Sequence, residues 1–130
     1  MVIGSLASPL SAFSAYGVGM QSTAHNLANV LTNGFKAGRV TYSDLPNQSG
    51  VRANGPQPLD VQGPLVPYGP GLPTLEGQNP AVPDGFAEGS TTDIPTSMVN
   101  LIVNSRTYQA NAKTVQTVDD MLGTVIDMKV

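Results

Sequence analysis

Nine of the eleven prolines in this 130-residue chain fall between Pro46 and Pro83, and eight of its fourteen glycines between residues 46 and 89. Proline lacks a backbone donor and glycine costs conformational entropy, so no long helix or central strand can run through such a stretch. A regular core must come mainly from the two ends. Of the 32 Leu, Ile, Val and Phe residues, 12 lie in residues 1–45 and 11 in residues 94–130, which leaves 9 between them. The length fits one domain or less. The expected fold class is mainly α: two long terminal helices forming an antiparallel coiled-coil-like pair around an extended Pro/Gly-rich central segment of loops with little β. The expected boundaries are 1–36, 37–93 and 94–130.

The charge pattern removes several functions. Six scattered Lys and Arg residues at a net charge of −3 give no face that could track phosphates, so no nucleic acid is expected as partner. Zero cysteines exclude disulfide frameworks and thiolate metal sites. No apolar run reaches the 18 or more residues of a spanning helix, so no direct membrane insertion is expected. Ser11-Ala12-Phe13-Ser14-Ala15 faintly resembles a signal-peptidase site. No Lys or Arg precedes it, however, and Gly4, Ser5, Ser8 and Pro9 interrupt the apolar stretch. A cleaved signal peptide is not expected.

Residues Ile3, Leu6, Leu10, Phe13, Gly17, Met20, Ala24, Leu27 and Leu31 recur at alternating three- and four-residue steps, which lays one stripe along a helix. Ser8-Pro9 suits its start and Asn33-Gly34 its end. The other faces carry Ala7, Ser11, Ser14, Ala15, Gln21, Ser22, Thr23 and Ala28 rather than Lys and Glu, and the first charged side chain is Lys36. Small uncharged residues all round point to several neighbours instead of water. In the C-terminal stretch from about Pro95 to Met128, Leu101, Tyr108, Val115 and Leu122 recur every seven residues, widened by Met98, Ala112, Val118, Val125 and Ile126. Pro95 belongs in the first turn, with Thr92 or Asp93 as cap. Such a helix spans roughly 50 Å, too long for a compact domain of this size. An ordinary antiparallel helix pair would show the same periodicity. The uncharged faces and the excess length favour an elongated subunit packed among copies or relatives. The expected subunit-packing residues are Leu10, Phe13, Met20, Leu27, Leu31, Leu101, Tyr108, Val115, Leu122 and Ile126.

In the centre, Arg39-Val40-Thr41-Tyr42 and Pro64-Leu65-Val66-Pro67-Tyr68 are β-like. Asn54-Gly55-Pro56, Gly69-Pro70-Gly71 and Pro83-Asp84-Gly85 have turn chemistry. Prolines at 64, 67, 70 and 73 suit an extended polyproline-like path. No two-residue hairpin loop stands out. Asn47-Gln48-Ser49 matches a glycosylation sequon of the kind that arises by chance.

No catalytic constellation appears. The single His25 has no Cys or acid near it in sequence, and Asp119 and Asp120 point to different sides of a helix. Asp127, seven residues beyond Asp120, shares its face, which reads as solvated acidic surface. There is no phosphate loop and no nucleophile elbow. No enzyme, cofactor or metal is expected.

Two stretches are more specific. Asn26-Leu27-Ala28-Asn29-Val30-Leu31-Thr32-Asn33-Gly34-Phe35-Lys36 resembles the N-terminal signature of bacterial flagellar rod and hook proteins. There a helix ends in Asn-Leu-Ala-Asn before a Thr-x-Gly-Phe/Tyr-Lys turn. Arg106-Thr107-Tyr108-Gln109-Ala110-Asn111-Ala112-Lys113 resembles the C-terminal signature, and Val118-Asp119-Asp120-Met121-Leu122 and the ending Met128-Lys129 fit it too. The resemblance covers roughly residues 3–45 and 94–130. One departure is His25, where the family often has a further Asn. The length resembles the short proximal-rod members, whereas the C-terminal wording is nearer the distal-rod and hook members. The family-motif residues are Asn26, Leu27, Ala28, Asn29, Thr32, Gly34, Phe35, Lys36, Arg106, Tyr108, Gln109, Ala110 and Asn111.

The resemblance implies a structural subunit of the flagellar basal-body rod, packed by its terminal helices into a helical axial tube that transmits torque for motility. Implied partners are other axial rod and hook subunits, copies of the chain itself, and the flagellar type III export apparatus. The implied location is the periplasm-spanning rod, reached without a cleaved signal. From a different class, a stand-alone helical-hairpin binding module with a Pro-rich recognition segment would share the gross pattern.

Overall fold

The computed structural model of the chain describes residues 3–67, 80–83 and 85–128. Two helices dominate: α1, Ile3–Ala28, and α2, Ile94–Asp127. Between them lie strands β1 (Gly38–Asp44), β2 (Val51–Pro58), β3 (Leu65–Pro67) and β4 (Phe86–Glu88). β1 pairs antiparallel with β2, and β3 with β4, as two separate two-stranded sheets. This overturns the expected fold class, a mainly α chain whose centre is loops with little β. The centre is built from sheets, and the first of them packs against α1.

The hairpin was hidden by its unusual punctuation. Its strands are joined through a tight 3-10 turn, Pro46–Gln48, in which Asn47 takes φ 61° and the following Gly50 takes φ 127°. Asn tolerates the left-handed region better than most residues. The Leu45 amide closes the turn by donating to the Gly50 carbonyl at 2.8 Å. Asn54-Gly55-Pro56, which reads as a turn, lies inside β2. Arg39 pairs with Gln57 and Thr41 with Asn54, so Gly55 and Pro56 together oppose Val40 in a bulge. A bulge is one of the few sheet positions where a missing proline N–H costs no ladder bond. The polyproline-like path is likewise replaced where it is described: Pro64 immediately precedes β3 and Pro67 ends it. Pro70, Pro73 and Gly69-Pro70-Gly71 lie outside the described residues. Gly85 does turn the chain, at φ 84°, and the Phe86 amide donates to the Pro83 carbonyl.

The helices run antiparallel. Phe13 stacks on Tyr108 with ring centroids 4.6 Å apart, Leu6 borders a groove with Val115 and Leu122, and Thr92 reaches the carbonyl of Asn26. α1 begins before the expected Ser8-Pro9 start and carries Pro9 within it. Proline removes only the bond to the Ser5 carbonyl, and the Leu6 contact with α2 lies on the early side of it. At the other end α1 stops at Ala28. The Asn29 side-chain amide caps the His25 carbonyl at 2.9 Å, and three-residue bonds such as Val30 N to Leu27 O tighten the exit. The apolar stripe does not continue to Leu31, which is 91% exposed.

The stripe that α1 buries is rotated from the expected one. Its covered positions are Pro9, Ala12, Ala15, Gly19, Ser22, Thr23 and Asn26, and Phe13, Met20 and Leu27 sit half-buried at its flank. Small residues let neighbours approach closely. A Cβ on Gly19 would overlap the Tyr42 hydroxyl of β1 and lie 2.9 Å from the side-chain amide nitrogen of Asn104 in α2. On α2 the facing positions are in the expected phase, with Ser97, Asn104 and Val118 buried and Leu101, Val115 and Leu122 half-buried. Among the described residues no large side chain is fully buried.

Candidate assembly interface

Most of the N-terminal motif serves a polar joint where α1, β1 and the start of α2 meet. Asn26 is buried, and its amide makes a reciprocal pair with Gly38: Nδ2 donates to the Gly38 carbonyl at 2.8 Å, and the Gly38 amide donates to Oδ1 at 2.8 Å. The side chain thus acts as one more strand neighbour at the edge of β1, holding the hairpin to the helix. Ser22 Oγ donates to the same carbonyl, and Thr92 Oγ1 donates to the Asn26 carbonyl. Beyond the helix, Thr32 Oγ1 donates to Asn29 Oδ1 at 3.2 Å, and Gly34 turns the chain at φ 73°, a conformation that most side chains resist. Phe35 folds back so that its ring meets the His25 ring edge-on at 5.5 Å. The Thr91 amide donates to the Phe35 carbonyl, and the Ala37 amide to Thr91 Oγ1.

Lys36 completes the joint. Its Nζ donates to Glu88 Oε1 at 2.5 Å and to the Val61 carbonyl at 2.6 Å. The same Glu88 oxygen accepts the Gly63 amide at 2.5 Å, and the Glu88 carbonyl accepts the Gly34 amide. Glu88 therefore ties three segments that are distant in sequence. The Lys36 hydrogen bond, then the Gly63 amide, hold its carboxyl below the ordinary glutamate range against the opposing effect of burial. This is the one ion pair among the described residues. Farther along α1, Tyr42 donates to Asn104 Oδ1 at 3.2 Å and lies 5.0 Å from the Tyr16 ring; burial first, then Tyr16, push its hydroxyl pKa up.

The C-terminal motif lies elsewhere. Tyr108 contacts Phe13, about 20 Å along α1 from Asn26, so the structure does not bring the two motifs together. Gln109 Nε2 donates to Ser105 Oγ, and Asn111 Nδ2 to the Thr107 carbonyl, both within α2 rather than across a helix contact. Arg106 and Ala110 are exposed, as is Ala28.

The expected packing residues divide. Phe13, Met20, Leu27, Leu101, Val115 and Leu122 are half-buried within the chain, whereas Leu10, Leu31, Tyr108 and Ile126 are exposed. The sequence reading missed a face. Val99, Ile102 and Val103, together with Met98, stand 53–61% exposed on the side of α2 turned away from α1. Two i,i+4 rows, 98/102 and 99/103, and the absence of any charged residue from 94 to 105 are the signal that marks it. Four large apolar side chains side by side on one helix face are more than the scattered exposure of an ordinary surface.

The cleft between α1, β1 and α2 is lined largely by hydroxyls and amides, with Arg39 and Asp93 as its charged members. Among the described residues no three His, Cys, Asp or Glu side chains are grouped to hold a metal ion. His25 is exposed, as are Asp119 and Asp120. No helix among the described residues is long and apolar enough to cross a membrane.

Residues 84–128, covering β4 and α2, match the family described as flagellar basal body rod FlgEFG protein C-terminal. The flagellar basal-body rod protein FlgG of Borreliella burgdorferi is 32% identical over 95 residues, 73% of this chain and 36% of its own length. The flagellar hook protein FlgE of Escherichia coli is 39% identical over 46 residues, 35% of this chain and 11% of its own. The corresponding hook protein of Helicobacter pylori is 30% identical over 106 residues, 77% of this chain and 15% of its own. The chain thus spans little more than a third of the length of even the rod protein it matches. With the Asn-Leu-Ala-Asn exit of α1, the Gly34-Phe35-Lys36 turn and the long α2 all in place, this chain belongs to the flagellar basal-body rod and hook protein family.

Proposed function

We propose that the chain is a structural subunit of the flagellar axial assembly and that its place is the basal-body rod. The observation that carries this reading is the unfinished state of the helix pair. α2 leaves Met98, Val99, Ile102 and Val103 open on one side, and Met121, Val125 and Ile126 open toward its C-terminal end. A chain that worked alone would gain from covering such a surface. A subunit needs it for contacts with its neighbours.

In this reading, neighbouring axial subunits, including copies of the chain, cover these faces. The polar joint fixes the angle between the helix pair and the β hairpin, so that each subunit presents the same faces. Contacts between unlike faces build open helical structures rather than closed rings. Long packed helices then carry torque along the axis. Helices this poorly buried are also suited to passage through the flagellar export apparatus before assembly.

The test is to express an epitope-tagged chain in cells that use it and to purify intact basal bodies. Label along the rod is expected. Label confined to the hook would overturn the rod assignment, and particles free of label would overturn the axial role.

A further inference from the structure

We propose that Asn33 is a modification site: its side-chain amide deamidates spontaneously, and the hydrogen bond from the Gly34 amide to the Glu88 carbonyl gates the reaction. The proposal stands on the polar joint and goes beyond the axial reading, which it does not require.

The reaction needs water and no other reagent. The backbone nitrogen of the residue after an asparagine loses its proton and attacks the side-chain Cγ. A bond from that nitrogen to Cγ forms, the bond from Cγ to Nδ2 breaks, and ammonia leaves. Water then opens the cyclic imide at either carbonyl, giving aspartate or isoaspartate with no change of oxidation state. A glycine in the second position removes the side chain that otherwise crowds the attack. Two Asn-Gly pairs occur in the chain, Asn33-Gly34 and Asn54-Gly55, and the sequence alone does not separate them.

The structure does. Asn54 is half-buried and engaged at both ends: Nδ2 donates to Thr41 Oγ1 at 3.1 Å, and Oδ1 accepts from Ser43 Oγ at 3.4 Å. Its backbone is paired with Thr41 in the β1–β2 ladder, so attack there requires release of the hairpin. Asn33 is exposed, and its side chain makes no hydrogen bond among the described residues. Asn33 and Gly34 are the central residues of a turn that the Phe35 amide closes on the Thr32 carbonyl at 3.2 Å. The nucleophile is restrained by one contact, from Gly34 N to the Glu88 carbonyl at 2.6 Å. While that bond holds, the nitrogen keeps its proton and its peptide plane does not turn toward Cγ. Glu88 in turn is gripped through its carboxylate by Lys36 and the Gly63 amide. Opening this clamp is a local event, reached more often than release of a whole hairpin.

The product does not restore the clamp. Isoaspartate routes the main chain through its own Cβ, and the added atom displaces the Gly34 amide from the Glu88 carbonyl. Either product places a carboxylate in a segment, residues 26–36, whose one charged side chain is Lys36. The modification thus records, irreversibly, the time a chain has spent with its joint open.

The test incubates the purified full chain in heavy-oxygen water at mildly alkaline pH, folded and in urea, and maps the labelled peptides by mass. In urea both Asn-Gly sites should take up label at similar rates. In the folded chain Asn33 should react more slowly than in urea, yet outpace Asn54 by tenfold or more. Glu88→Gln, which loosens the clamp, should speed folded-state labelling of Asn33 about tenfold, with its urea rate, the Asn54 rate and helix content unchanged. Lys36→Met removes the other half of the ion pair and should do the same. Equal Asn33 rates with and without urea would overturn the proposal, as would Asn54 keeping pace in the folded chain. So would an Asn33 rate indifferent to both substitutions, or no label at Asn33 in urea. None of those outcomes touches the axial reading, which the basal-body label decides separately.

Discussion

The polar joint and the helix pair differ in how far each is finished within one chain. At the joint, Asn26, Lys36, Glu88, Thr91 and Thr92 satisfy one another and the backbone of three segments. Along the helix pair, small residues are covered while Leu10, Met98, Ile102, Met121 and Val125 stay in solvent. Hydrogen bonds are directional and fix an angle; apolar contact is not, and it tolerates whichever neighbour supplies the area. The subunit's shape is thus set by polar groups, and its adhesion is left to apolar ones. That division can be tested by damaging each side separately.

The largest effect on the isolated chain should come from Asn26→Leu. It removes both arms of the pair with Gly38, which orphans the Gly38 amide and leaves Ser22 Oγ as the side-chain donor to its carbonyl. With an orphaned group costing about 1–3 kcal/mol, the loss should be about 2 kcal/mol in urea unfolding. Release of β1 from α1 should appear as faster amide exchange at Gly38. A loss below about 0.5 kcal/mol would mean that the joint does not fix the hairpin.

Gly19→Ala should come next. The added methyl meets the Tyr42 hydroxyl and the Asn104 amide, so β1 or α2 must shift. Overpacking costs about 1–3 kcal/mol, and the gain in helix propensity of up to about 1 kcal/mol offsets part of it. A net loss of about 1 kcal/mol, with the Tyr42–Asn104 hydrogen bond broken, is expected in thermal melts and spectra of the tyrosines. A stabilised protein would show that the close approach at Gly19 is not required.

Glu88 gives a smaller, pH-dependent effect. Its carboxyl is held below the ordinary value, so the folded state binds its proton less tightly than the unfolded chain does. The stabilisation is present at neutral pH and is lost as pH falls from about 4.3 down through the lowered folded value. The charges that bear on it are few. Lys36 faces it from the α1–β1 connection, residues 61–67 and 86–87 carry none, and Asp84 and Asp93 are the nearest acids in sequence. Between pH 5 and 3, amide exchange at Gly63 and Gly34 should accelerate in the native protein. Glu88→Gln should flatten that dependence, and an unchanged slope would remove the ion pair from the account.

These comparisons also show why parts of the molecule were legible in the sequence. α2 was, because its seven-residue repeat and Pro95 entry are local signals, and they agree with the observed phase of Leu101, Val115 and Leu122. The exit of α1 was as well, since Asn29 and Gly34 act on their immediate neighbours. The hairpin was not, because Asn54-Gly55-Pro56 has the same chemistry in a bulge as in a turn, and only the pairing partner, Val40, distinguishes them. The buried stripe of α1 was misplaced for a related reason. Periodicity picks out large residues, whereas this contact is made by Ala12, Ala15 and Gly19, whose virtue is the space they leave. Glu88 was invisible, since its partners Lys36 and Gly63 are 52 and 25 residues away.

Gly17→Ala separates the two sides of the comparison most cleanly, although its effect on the monomer is the smallest. Gly17 has no neighbour within 4 Å of a built Cβ and an ordinary helical backbone, so the isolated chain has nothing to lose from a methyl there. Helix propensity alone predicts a gain of up to about 1 kcal/mol, visible as a rise of a few degrees in the melting midpoint. If the outer face of α1 is a contact surface, the same methyl keeps the neighbouring helix farther away. Assembly should then weaken in the variant whose monomer is the more stable. Gains in both would place Gly17 outside any interface, and a loss of monomer stability would show that α1 is held by contacts other than those described. Opposite signs in the two measurements are the mark of a helix shaped for a neighbour rather than for itself.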